Sequence, residues 1–414
     1  MTRFRALAAA ALSTIAAITV VAPARAGTDH LPIGDADLPE TRTTSTLAPG
    51  VTVTSIVRGD TPADPDEINT TPRGPWVVKV LTIDPKRARG RLLSTYGPDI
   101  ARTEKPTELV RRAKALIGVN ASFYTFSASK DYPGDPVGLG IYGGVLHSEP
   151  TTDPTESDLV YDSASGRMLI GHLRWSATVT HRDSHRRLAL TAVDHPPVVP
   201  DACSTLPDQT HCTTDGDLVR ISNRFGSSTP KGAGVEVVLD SRGCVVRTAS
   251  TRGTALAKGQ SSLQATGSDA KELKDVVSHG CVSVTQDLRD ERGERVPLSG
   301  NVSGVNGRFQ LTAGGKIVVP SGSGPLFGRN PRTIAGKTDD GKTVLAVLDG
   351  RQTTSVGTTT DETAAVAHSL GLVDSMNLDG GGSATMATQD GPLNHPAGSG
   401  ERAVGDALVW IPRP

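Results

Sequence analysis

Most apolar residues of this chain fall into short blocks rich in Val, Ile, Leu and Thr, closed by Gly, Pro, Asp or Asn. That punctuation predicts strands joined by turns. Residues 51–57, 76–83, 91–96, 119–124, 138–145, 234–239, 244–246, 343–349 and 407–411 read this way. The block at 343–349 has no polar alternation and predicts a buried strand. Helical spacing is scarcer. Over 107–117, Leu109, Val110, Ala113, Leu116 and Ile117 share one face, with Thr107 as cap and Gly118 as stop. A second helix opens at Thr359, where Thr359-x-x-Glu362 fits a capping box. One or two helical turns are expected around 269–277, and Asp339-Asp340-Gly341 predicts a hairpin turn.

Strands and helices do not alternate regularly, so the predicted class is α+β, with mixed, largely antiparallel sheets and a few flanking helices. Residues 76–412 read as one domain containing a β-rich elaboration at 153–321. Residues 27–75 read as an extended lead-in whose one strand-like piece joins the main sheet.

Composition narrows the function. The 414 residues carry 44 acidic and 43 basic side chains, a net charge of −1, with 3% aromatics. Neither a one-signed field nor base-stacking platforms favour nucleic acid. Arg3 and Arg5, the apolar run 6–21 and Ala24-Arg25-Ala26 form a signal-peptide pattern over residues 1–26. The run is shorter than the ~20 residues that span a bilayer, and no later run is longer. The expectation is a secreted protein with no stable membrane span. Its four cysteines are then expected to pair. Of three connectivities, Cys203–Cys212 with Cys244–Cys281 is favoured, because the sequence-near pair needs little chain organisation. Oligomeric state has no signature in the sequence.

Chemistry concentrates in Asn377-Leu-Asp-Gly-Gly-Gly-Ser-Ala-Thr385. Three glycines permit a turn with positive φ and a close approach of backbone N–H groups to a ligand. Asp379, Asn377, Ser383 and Thr385 surround them, a set suited to an anion or a sugar. Other polar residues gather at element ends: Asn330, Arg332, Asp349, Arg351, Ser355, Thr359, Glu362 and Arg402. His147, His172, His181, His185 and His195 have no metal-ligand spacing, so no cofactor is expected. A calcium ion on loop oxygens stays open, without EF-hand spacing to support it.

Five motifs occur in order: Asn330-Pro-Arg-Thr333, Asp349-Gly-Arg351, the run from Ser355 to Glu362, Asn377-Leu-Asp-Gly-Gly-Gly-Ser383 and Glu401-Arg-Ala-Val404. Together with Val119-Asn-Ala-Ser-Phe-Tyr124 they resemble the phosphodiester glycosidase family. The resemblance departs at Ala384, at Ala121-Ser122 and at Ala403. It implies hydrolysis of a sugar from the phosphate of a glycosyl-1-phosphodiester, with a phosphate-linked glycan or glycolipid as substrate. It places Arg332 and Arg402 on the phosphate, with the amides of Gly380, Gly381 and Gly382. Asp379 becomes base or nucleophile, Glu362 or Glu401 the second carboxylate, and Asn120 and Thr385 the contacts to sugar hydroxyls. Asp349, Arg351, Ser355, Thr359, Asn377 and Ser383 complete the expected binding set.

Two rivals remain. One is a non-catalytic carbohydrate- or wall-binding protein on the same scaffold. The other rests on Ser278-His-Gly-Cys-Val-Ser283, which resembles the nucleophile segment of L,D-transpeptidases, with Cys281 as thiolate. Its nearest histidine upstream in sequence is the remote His211, and a Cys244–Cys281 disulfide would silence the thiol. A thiol reagent applied to native, unreduced protein should therefore leave Cys281 unmodified. Mass-spectrometric detection of label on Cys281 would revive the transpeptidase reading.

Overall fold

The computed structural model describes residues 30–413, so the signal-peptide pattern at 1–26 lies outside the described residues. Two sheets pack face to face. The larger runs from the hairpin Glu40–Ala48 and Val51–Arg58 through Trp76–Ile83, Thr343–Leu348, Arg332–Thr338, Leu372–Leu378 and Val302–Ala313 to Gly140–Tyr142 and Val145–Ser148. The smaller holds Gly90–Tyr96, Asp406–Pro412, Ile117–Asn120, Met386–Thr388 and Gly391–Pro392. Neighbouring strands in both are antiparallel.

Strict alternation makes the central strands apolar on both faces. Leu345 and Val347 enter the core between the sheets, where Leu81, Ile117, Val119, Met376, Leu378 and Trp410 meet. Val344, Ala346 and Leu348 point the other way, into a core with Trp76, Val78 and Val80. That outer core is closed by the helix Thr360–Ser369 through Ala364, Val366 and Ala367. The small sheet's outer face is covered by the helix Pro106–Arg112 through Leu109 and Val110. The result is four layers, helix–sheet–sheet–helix, and an α+β class as predicted.

The stretch 153–321 divides. Its ends, Glu156–Asp162, Arg167–Gly171 and Val302–Ala313, pair within the large sheet. Between them a separate β unit has its own core. Arg174–His181, Arg187–Leu190 and Val282–Arg289 form one sheet, and five further strands from Ala192 to Ala265 form another. The helix Gly267–Val276, expected near 269–277, packs on this core. Within the five-stranded sheet, Ala192–Val193 runs parallel to Leu218–Ser222.

Four local expectations fail. The lead-in at 27–75 carries two paired strands, Glu40–Ala48 and Val51–Arg58, where one was expected. The strand read at 119–124 ends at Asn120. The first helix spans Pro106–Arg112, not 107–117. Pro106, with its preset φ, opens the helix in place of a Thr107 cap. Lys114 then adopts φ +52, and Ile117 enters a strand opposite Trp410 and Thr388. The apolar spacing is satisfied by the sheet core instead. The last is 138–145, which folds as a hairpin. Gly143 and Gly144, at φ +59 and +79, turn the chain between Gly140–Tyr142 and Val145–Ser148. The turn at Asp339-Asp340-Gly341 joins Arg332–Thr338 to Thr343–Leu348 as expected.

The disulfides are Cys203–Cys212 and Cys244–Cys281, the favoured connectivity. With Cys281 bonded there is no thiolate, and the transpeptidase reading closes. His181 does lie beside His279, rings 5.9 Å apart, a proximity the sequence conceals.

Candidate active site

The glycine-rich segment leaves the strand Leu372–Leu378 and makes a tight turn, Gly381–Ser383, at the end of the sandwich. Asn120, at the end of Ile117–Asn120 in the opposite sheet, holds it in place. Its Nδ2 donates to the Asp379 carbonyl at 2.6 Å, and its Oδ1 accepts from Thr385 N at 3.0 Å and Thr333 Oγ1 at 2.8 Å. Asn120 is fully buried. Its hydrogen bonds go to the protein, not to a sugar.

Asp379 is only partly exposed. Its N–H donates to Ala121 O, and Gly380 N donates to its Oδ1 at 2.9 Å. Burial pushes its carboxyl up to about 7, against the pull of Ser383, Gly380 and Arg402, while nearby Asp406 adds to the rise. Asp406 is fully buried and accepts from Ser122 N, Ser122 Oγ and Tyr142 Oη at 2.7, 2.7 and 2.8 Å. Tyr124 donates its hydroxyl to Ala403 O at 2.9 Å, and burial pushes its phenol up to about 12.

Two guanidinium groups flank the glycines. Arg402 lies so close to Gly382 that a Cβ there would collide with its Nη2. Its other side faces the Phe126 ring, 4.8 Å from the centroid. Arg351, exposed and at φ +59, lies beside Gly381, where a Cβ would sit 3.2 Å from its Nη2. Arg351 donates to Asn330 Oδ1 at 2.6 Å. Neither arginine belongs to an ion pair among the described residues. The buried Asn377 Oδ1, Ser383 Oγ and Thr385 Oγ1 have no hydrogen-bond partner. Three such atoms around one turn mark a place built for water or ligand.

The remaining candidates are committed to the protein. Arg332 is buried, donating to Thr358 O, Leu326 O and Gly328 O, and burial lowers its guanidinium to about 10. It braces the loop before its own strand, and it does not face a ligand. Glu362 completes the capping box with Thr359 and takes a bidentate bond from Arg329 at 2.8 and 2.9 Å. Glu401 accepts from Thr107 N and Oγ1 at 2.9 and 2.7 Å, at the start of the first helix. Asp349 accepts from Asn394 Nδ2 at 2.7 Å and from His395 N, and Asn394 in turn holds Ala384 O and Met386 N. Ser355 Oγ bridges Asp349 O and Val77 N. Gly380 N and Gly381 N are occupied by Asp379 Oδ1 and Pro331 O, which removes two of the three expected amides.

Tyr124, Phe126, Ser122, Tyr142 and Asp406 were absent from the sequence-derived set. Tyr124 and Ser122 stood inside the quoted 119–124 motif. Asp406 had a readable signal, a lone carboxylate opening an otherwise apolar strand. No group of three or more His, Cys, Asp or Glu side chains able to hold a metal occurs among the described residues.

Residues 223–411 match the family model described as phosphodiester glycosidase. The match takes in the glycine turn and both flanking arginines, whereas Asn120 joins them only through the fold. A solved structure described as an exported protein of Burkholderia pseudomallei is similar at TM-score 0.77 and 25% identity, covering 92% of this chain and 98% of that one. A hypothetical protein from Synechocystis shares the fold at TM-score 0.66 and 18% identity, over 87% of this chain and 62% of that one. The prophage-derived protein YomE of Bacillus subtilis is 35% identical over 81 residues, 20% of this chain and only 13% of its own length.

Two substitutions test the construction. Gly382→Ala should leave thermal stability nearly unchanged, because Gly382 is not at positive φ. It should displace Arg402 and reduce anion affinity about tenfold, read by phosphate titration. Asn120→Ala should destabilise the fold by about 3 kcal/mol in denaturant melts, since it orphans several buried groups at once.

Proposed function

We propose that this protein is a secreted hydrolase that cleaves the glycosidic bond of a glycosyl-1-phosphodiester at the Asp379 turn. One observation carries the reading: a partly desolvated carboxylate stands with two guanidinium groups that have no ion pair, pressed against glycines where a Cβ would meet them. Arg402 and Arg351 receive the phosphate. Asp379 acts at the anomeric carbon as base toward water: the carbon–oxygen bond breaks, the bridging oxygen leaves with the phosphate, and water supplies the new hydroxyl. Its proton passes to Asp379 and then to solvent or the released phosphate.

A second carboxylate is unnecessary in this scheme. Phosphate leaves as a stabilised anion, so protonating it matters far less than it does for an alcohol. This accords with Glu362 and Glu401 being engaged in helix capping, and with Asp406 already accepting three hydrogen bonds. Export fits the two disulfides and the similar exported protein of Burkholderia pseudomallei.

The test is release of free reducing sugar from a glycosyl-1-phosphodiester. Turnover should rise with pH through about 7 as Asp379 ionises. Asp379→Asn should lower kcat by about three orders of magnitude or more. The same variant should be at least as heat-stable at pH 8. The folded carboxyl titrates above its unfolded value near 4, so ionising it opposes folding, and the amide removes that opposition. Near-normal turnover in the variant would remove Asp379 from the mechanism. Sugar binding without release in the parent would favour the non-catalytic reading.

A further inference from the structure

The inserted β unit holds a cavity of about 440 Å³ that the Asp379 site does not use. Its floor is apolar, from Leu239, Val282 and Val284, and its walls carry Arg182, Arg220 and Arg242 with hydroxyl and amide side chains. Asp240 is the one carboxylate lining it, and that group is spent: it accepts from Cys244 N and Arg242 N at 2.9 Å and pairs with the Arg242 guanidinium. Arg182 is steered by a bond from its Nη2 to Arg242 O at 2.7 Å. Arg220 has no ion pair among the described residues and is half-buried on the strand Leu218–Ser222. The cavity therefore presents a net positive wall above a small apolar floor. That combination suits an anionic sugar, whose ring faces bury while its charge meets guanidinium.

The groove is also tied to the catalytic end of the molecule. Ser222 and Asn223 line it. Immediately after them, Arg224 O and Phe225 O accept from Ile100 N and Ala101 N, and the Phe225 ring packs 5.2 Å from Tyr132. Tyr132 anchors the loop that carries Phe126, the residue beneath Arg402, through its carbonyl bond to Thr125 Oγ1.

We infer that this groove is a second binding site, for a phosphate-bearing saccharide unit of an extended substrate whose glycosyl-phosphate bond is cut at Asp379. This rests on the proposed phosphate-linked substrate class. The groove holds the chain at a distance from the cut, so it contributes to affinity for long substrates and not to turnover of short ones.

The full chain is titrated calorimetrically with a phosphate-bridged oligosaccharide and with the same oligosaccharide lacking phosphate. Arg182→Gln/Arg220→Gln should weaken binding of the phosphorylated oligomer about tenfold or more. Arg220→Lys should retain most of the affinity, because charge is kept. The neutral oligomer should bind the parent far more weakly. KM for the oligomer should rise in the double variant, while kcat and KM for a short glycosyl-1-phosphodiester stay as in the parent. Unchanged affinity in a double variant of normal melting temperature overturns the groove, as does equal binding of the neutral oligomer. If the parent releases sugar from neither substrate but the variant still loses phosphate-dependent binding, the hydrolase reading falls and the groove stands.

Discussion

The site depends on the side chain of Asn120, which has no exposure to solvent and spans the gap between the two sheets. One amide fixes the Asp379 carbonyl, the Thr385 amide and the Thr333 hydroxyl at once. Those groups belong to the glycine turn, the chain leaving it, and the first strand after the Asn330 motif. A buried amide with its donor and acceptor engaged is stable where a partly engaged one is costly, so the three segments are held to a single arrangement. The turn's flexibility is confined to what its glycines require.

The charges around that turn follow a different rule from the rest of the molecule. Three buried charges near by are matched. Glu362 meets Arg329, Arg332 meets a ring of carbonyls, and Asp406 meets three donors. At the turn, Arg402 and Arg351 face no carboxylate within pairing distance, and what Ser383, Gly380 N and Arg402 offer the Asp379 charge does not offset its burial. Such an arrangement raises the free energy of the empty protein. It also leaves favourable interactions to be made when an anion arrives, which is the way binding energy is directed to a reacting centre.

Several residues that read as chemistry turned out to build the walls of the site. Asp349 and Asn394 hold the far side of the turn at Ala384 and Met386, and Ser355 holds Asp349. Glu401 fixes the helix Pro106–Arg112 and so places its neighbour Arg402. These are polar groups clustered near a ligand site because a loop-built site has many backbone groups to satisfy. A polar residue in such a region is ambiguous until its partners are seen.

The sequence alone determined part of the strand set, such as 51–57, 76–83 and 343–349, because an alternating or continuous apolar run has few ways to be buried; it missed Glu40–Ala48, Arg332–Thr338 and Leu372–Leu378. It marked the glycine turn, because three adjacent glycines have no structural use in a core. It also indicated the disulfide pairing, through the nearness of Cys203 and Cys212. Its errors at 107–117 and 138–145 have one cause. Local spacing is compatible with more than one element, and contacts with Trp410 and Thr388 or a pair of positive-φ glycines decide between them. Only the tertiary structure separated Arg402 and Arg351, which face the turn, from Arg332, which is buried under it, since all three are arginines in motifs. It alone brought Asp406 and Tyr124 to Asp379, because their proximity comes from strands paired across hundreds of positions, and no local pattern encodes that.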